Sequence, residues 1–127
     1  MMMKFVQIAN TTRTLPQSLR VRYCDAFLCR LRGLMFRNQL EDDQGLLLVQ
    51  KRENRRDAAI HMFFVGMDLG VLWMNRDREV VDLQLAKSWR PLYTPEKPAK
   101  YVLEIHPSRL EDFKPGDILD FEEDYSY

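Results

Sequence analysis

The stretch "IHMFFVGMDLGVLWM", Ile60 to Met74, decides how the chain folds. It is the most apolar part of the sequence, yet it carries His61 at one end and Asp68 in the middle. A membrane helix needs about 20 mostly apolar residues, and this run is shorter and interrupted by Gly66 and Gly70. It divides instead into two strand-like pieces, Ile60–Val65 and Leu69–Met74. Gly66-Met67-Asp68 is the bend between them, and Gly70 permits a bulge or a close backbone approach. Asn75-Arg76-Asp77-Arg78 is a turn. Val81, Leu83 and Leu85 then line one face of a strand that returns as a hairpin.

Working outward, Gly45–Val49 ("GLLLV") is a continuous apolar run of strand length, which predicts a strand covered on both faces. Leu19, Val21 and Tyr23 alternate with Arg20 and Arg22, as in a strand with one wet face. Phe5–Ala9 reads as a first strand. Asp25 is placed to cap a short helix reaching about Arg32, with Gly33 as its left-handed stop. Lys51–Asp57 ("KRENRRD") reads as a charged hairpin tip. Pro91, Pro95 and Pro98 make Trp89–Lys100 a long, stiff loop. Tyr101, Leu103 and Ile105 alternate with Val102, Glu104 and His106 on a further strand. Pro107 stops it, and Ser108-Arg109-Leu110-Glu111 fits a capping box for a second short helix. Pro115-Gly116-Asp117 turns into a last strand, Ile118–Phe121, followed by an acidic, frayed tail at 122–127.

The expected fold is α+β: about seven short, mostly antiparallel strands in a small barrel-like sheet, with two short helices, as one domain over 1–127. A chain of 127 residues buries a real core without staples. Basic and acidic groups balance at 19 each, so no global charge draws the protein to nucleic acid or to a membrane. The charge is uneven: residues 1–63 hold 11 basic and 6 acidic groups, and residues 64–127 hold 8 and 13. Packing of one half on the other accounts for this. Cys24 and Cys29 on one helix would sit about 140° apart, so two buried thiols in a reducing compartment are expected. The N-terminal segment lacks the pattern of a signal peptide. Together these place the protein in the cytoplasm.

Several segments, in order, carry a family resemblance: "RLRGLMFRNQL" (30–40), "DQGLLLV" (43–49), "HMFFVGMDLGVLWMNRDREVVDL" (61–83) and "YVLEIHPSRLEDFKPGDIL" (101–119). Together they resemble the small bacterial and archaeal domain of unknown function numbered one hundred and ninety-two, over about residues 15–122. Gly33–Arg37 matches its Gly-Leu-Met-x-Arg signature. The resemblance implies a compact, mostly β domain and brings no activity with it. Members of the family usually have Pro-x-Asp after the aromatic stretch. Here Gly70 stands at the acid position, and Asp68 lies two residues earlier.

The candidate chemistry centres on His61, whose imidazole is suited to acid–base work or to a backbone hydrogen bond. Glu104 shares a strand face with His106 and could orient it. Arg37, after the Gly33 turn, offers a fork for carboxylate or phosphate. Trp89 and Arg90 put an aromatic ring beside a guanidinium on the long loop. No phosphate loop, dinucleotide fingerprint, nucleophile elbow or metal motif is present, so no cofactor or metal is expected. Three readings follow. The preferred one is a non-catalytic module binding a small anionic ligand or peptide in a pocket near His61, Arg37 and the Trp89 loop, with Asp68 and Glu104 as further candidates. The second is a hydrolase using His61 with Asp68 or Glu104. The third is a structural protein dimerising through sheet edges.

Overall fold

The computed structural model describes residues 3–124. Seven strands form one sheet: β1 (Lys4–Asn10), β2 (Arg20–Cys24), β3 (Gln44–Asn54), β4 (Leu69–Met74), β5 (Val80–Ala86), β6 (Ala99–Ile105) and β7 (Leu119–Asp124). A short helix, α1 (Phe27–Arg32), and a 3₁₀ turn (Pro107–Asp112) complete it. The sheet order is β5-β4-β6-β3-β2-β1-β7. Only β2 and β3 pair in parallel; α1 lies in the crossover between them.

The apolar runs are explained by burial on both sides of the sheet. Along β4, Leu69, Val71 and Trp73 enter one core cluster, and Leu72 and Met74 enter the other. Along β3, Leu46 and Leu48 join the first, and Leu47 and Val49 the second. Every residue of β4 is buried. Trp73 is fully enclosed, and its indole N–H donates to the Ala58 carbonyl at 2.7 Å. Gly70 is required by a close approach: a Cβ there would stand 2.7 Å from Leu110 Cγ.

The sheet rolls without closing into a barrel. β5 and β7 are joined by an isolated bridge, Glu79 to Ile118, rather than by a continuous ladder. The Leu119 N–H donates to Arg78 O at 3.0 Å and the Val80 N–H to Asp117 O at 2.8 Å. Asp117 anchors this seam: it accepts from Asn10 Nδ2 at 2.9 Å and from Lys114 N at 2.9 Å, and pairs with Arg13 at 2.9 Å.

Several expectations are corrected. Ile60–Val65 is not a strand. Only Ile60 bridges, to Tyr93, and Phe64 takes a left-handed φ of 61° that ends any extended run. The segment Lys51–Asp57 is not simply a tip. β3 continues to Asn54 past a register shift after Val49, and the turn begins at Arg55. Helix α1 is capped at Ala26 with no side-chain hydrogen bond, so Asp25 does not serve. The second helix is a 3₁₀ turn capped by His106, whose ring accepts from the Ser108 N–H at 3.1 Å. The last strand begins at Leu119 and extends through Asp124, so the expected frayed tail is β-paired up to there; residues 125–127 lie outside the described residues.

Cys24 and Cys29 form a disulfide, not two free thiols, with Cα atoms 5.6 Å apart. The angular argument fails because the two are not on one helix. Cys24 ends β2, Ala26 is extended with ψ 146°, and the chain folds back to set Cys29 over Cys24.

Candidate functional site

The site is built on the central strand β6. Val102 and Glu104 face the core cluster that holds Trp73. Strand pairing puts Leu46 on one side of Glu104 and Val71 on the other. A carboxyl is thus placed where alternation calls for an apolar residue. It is buried, and its Oε1 has no hydrogen-bond partner. Burial pushes its pKa up to about 7. A Cβ on Gly33 would lie 3.7 Å from that Oε1, so the backbone at the end of α1 passes close over the carboxyl.

A cavity of about 180 Å³ lies here, walled by α1, by β3 and by the segment after Ala58. Its polar lining comprises Arg30, Arg32, Gln50, Asp57, His61 and Glu104, with Leu34, Leu48 and Val65 among the apolar walls. His61 Nδ1 is also buried without a partner. Among the described residues, these two atoms are the buried side-chain polar atoms left unsatisfied. Such atoms are rare, because each costs about 1–3 kcal/mol. Finding both on one small cavity marks it as the candidate site.

The wall above the cavity is loosely held. α1 has no buried residue and no capping side chain, and a single isolated turn and a half does not persist alone in water. The Cys24–Cys29 disulfide ties it to β2. Arg30 adds hydrogen bonds to the carbonyl oxygens of Asp25 and Val49.

The other candidates lie elsewhere. Asp68 accepts from Ser88 N at 2.9 Å and from Lys87 Nζ at 3.3 Å, and these contacts hold its pKa below the usual carboxylate range, the Ser88 bond first. It borders a second cavity of about 330 Å³, together with His106. His106 is therefore not paired with Glu104; its Nδ1 is occupied by Ser108. Arg37 is exposed, and its guanidinium donates to Gln39 O at 3.4 Å. Trp89 is exposed and meets Phe64 edge-on at 5.1 Å. Arg90 is exposed, and its carbonyl accepts from Met62 N at 3.1 Å. None of these five lines the His61 cavity. Sequence reasoning passed over Arg30, Arg32 and Gln50. Gln50 carried a signal, since it continues the Leu46, Leu48 alternation onto the same face.

Among the described residues, no cluster of three or more His, Cys, Asp or Glu side chains could hold a metal ion. No described helix is long and apolar enough to cross a membrane.

The rolled sheet, with a carboxyl oxygen and an imidazole nitrogen buried without hydrogen-bond partners, defines a small α+β protein. The chain belongs to the family DUF192, described as an uncharacterized ACR, whose model matches residues 7–121. It is 39% identical over 114 residues to the UPF0127 protein TK1120 of Thermococcus kodakarensis, covering 88% of this chain and 71% of that one. A UPF0127 protein of Thermococcus gammatolerans is 37% identical over 117 residues, covering 91% and 74%. Among solved structures, a Sinorhizobium meliloti protein described as a candidate transcription regulator superposes with a TM-score of 0.81 at 22% identity, covering 94% of each chain. A protein of unknown function from Novosphingobium aromaticivorans superposes with a TM-score of 0.78 at 22% identity, covering 91% of this chain and 83% of that one. These two likenesses show the fold.

Proposed function

We propose that the protein is a non-catalytic binding module whose cavity, between α1 and β6, takes a small anion such as a carboxylate. The observation that carries this is the pair of buried atoms, Glu104 Oε1 and His61 Nδ1, unsatisfied on one cavity. A protonated Glu104 is a hydrogen-bond donor, and Arg30 and Arg32 supply positive charge at the lining. The cavity lies below the roughly 300–1,000 Å³ of drug-sized sites, so the ligand is small.

The hydrolase reading has one point in its favour, the shared cavity of His61 and Glu104. It needs a general base oriented by an acid. No hydrogen bond joins the two side chains, and Asp68 is engaged with Ser88 and Lys87. Dimerisation by free sheet edges is disfavoured, because residues flanking β5 and β7 already bond to one another.

The test is an NMR titration with sodium acetate at pH 6 and pH 8. Binding should shift the Gly33, His61 and Glu104 amides, more strongly at pH 6, where Glu104 keeps its proton. Glu104→Gln, which retains a donor, should still bind but lose the pH dependence. Glu104→Ala should not bind. Shifts scattered over the surface, or the same in all three proteins, would reject the cavity as the site.

A further inference from the structure

Four described residues other than glycine have a left-handed backbone: Phe36 (φ 66°), Phe64 (φ 61°), Arg78 (φ 63°) and Trp89 (φ 66°). Three are aromatic, and those three form one stack. Phe36 lies 5.4 Å from Phe64, and Phe64 lies 5.1 Å from Trp89, centroid to centroid. A bulky side chain in this region is strained and persists only where its surroundings over-determine it. Here they do. The Phe36 N–H donates to Phe64 O at 2.7 Å, Gly66 N–H to Arg37 O at 2.8 Å, and Trp89 N–H to Met62 O at 3.0 Å.

The three rings do not fill the core. The three rings are 70%, 47% and 55% exposed. Helix α1, which leads into the turn carrying Phe36, also exposes Phe27, Leu28 and Leu31. An apolar patch of this kind, held rigidly in water, marks a contact surface.

Its charge identifies the partner. Arg37 directly follows Phe36, Arg90 directly follows Trp89, and Arg30 and Arg32 lie on α1. Among the described residues none of these four is in an ion pair, whereas Arg13, Arg20, Arg78 and Arg109 each are. A second copy of the chain across a two-fold axis would face these arginines with themselves. A peptide needs a groove or a free strand edge, and the three stacked rings line neither cavity and belong to no strand.

We infer that this surface docks on an anionic lipid bilayer, with Phe36, Phe64 and Trp89 entering at headgroup depth and the four arginines meeting lipid phosphates. Aromatic rings with adjacent guanidinium groups are the combination that binds at that interface. A balanced total charge conceals this local arrangement, which is why whole-chain composition predicts no membrane partner. Arg30 and Arg32 also line the cavity; the three rings with Arg37 and Arg90, which do not, carry this inference without the proposed ligand.

Tryptophan fluorescence tests it directly, because Trp73 is fully buried and Trp89 is the exposed indole. Vesicles of phosphatidylcholine with phosphatidylglycerol should shift Trp89 emission to the blue, and raising salt should reverse the shift. Phosphatidylcholine alone should not produce it. Each arginine at such a surface strengthens binding by about five-fold. Arg37→Gln with Arg90→Gln should therefore weaken vesicle binding about 20- to 30-fold while leaving the thermal midpoint unchanged. No shift on anionic vesicles, or equal shifts on both compositions, would overturn the inference. So would a shift that tracks protein concentration without vesicles and accompanies a dimer in sedimentation, which would assign the patch to a second copy.

Discussion

At the residue scale, Glu104 is a costly choice, a buried carboxyl with one oxygen unsatisfied. It occupies a position between Leu46 and Val71 that any aliphatic side chain would fill well. Its pKa rises from the ordinary 4.5 to about 7 through burial, so folding takes up a proton between those values. The native state then holds more protons than the unfolded chain, and stability falls as pH rises through that window. The interval corresponds to roughly 3 kcal/mol lost by pH 8 relative to pH 4.5. Denaturant titrations at several pH values should show this slope in the wild type. Glu104→Gln should remove it and be the more stable of the two at pH 8; parallel curves for the two proteins would dismiss the buried acid. Arg109 is a contrasting case, buried but satisfied. It donates to the carbonyl oxygens of Gln17 and Asp42 at 2.7 Å each and pairs with Asp112 at 2.6 Å. Arg109→Ala leaves those acceptors and the carboxylate without a partner, and should cost about 3–5 kcal/mol by chemical denaturation.

At the scale of elements, α1 depends on one covalent link. Cross-linking so short a loop contributes about 2 kcal/mol in the chain-entropy account. Cys24→Ser with Cys29→Ser should lower stability by about that amount. Amide exchange should accelerate mainly over residues 25–36, where α1 and the following turn would detach; uniform acceleration over the sheet would contradict the picture. Gly70→Ala should destabilise by about 1–3 kcal/mol, because its methyl would meet Leu110 at 2.7 Å. The elements best read from sequence were those whose period and burial agree. β3 through Val49, β4 and β6 all lie where their apolar residues placed strands, and Gly70, read as a bulge or a close backbone approach, is met by the Leu110 side chain. Ile60–Val65 misled because Ile60, Met62 and Val65 are buried as in a strand, while positive φ at Phe64 turns the chain. That turn depends on backbone bonds to Arg37, Trp89 and Arg90, none of them local. The disulfide was missed for the same reason: helical spacing was assumed across a boundary at Ala26. Of the site, His61 and Glu104 were legible as titratable residues. Their meeting on one cavity depends on the crossover that carries α1 over β6, and no local pattern encodes it.

At the scale of the whole molecule, the seam between β5 and β7 holds the roll. Asp117 is its polar centre. Burial raises its pKa, but the bonds from Arg13, Asn10 and Lys114 outweigh this and hold it below the usual carboxylate range. A carboxyl with a lowered folded pKa stabilises the native state above its unfolded pKa, and that contribution is lost as pH falls through the folded value. Acid should therefore open this seam, and Asp117→Asn should blunt the loss of stability below about pH 4. An unchanged acid transition in Asp117→Asn would place the lability elsewhere. The same sheet order has a consequence for how the chain is made. β1 pairs with β7, Phe5 lying opposite Asp124, so β1 leaves a ribosome with one side waiting for a strand more than a hundred residues behind it. Until then its amide and carbonyl groups are open to any passing strand. A fold completed by so distant a partner is slow to close, and its window of vulnerability to aggregation is set by the pace of translation as much as by its final stability.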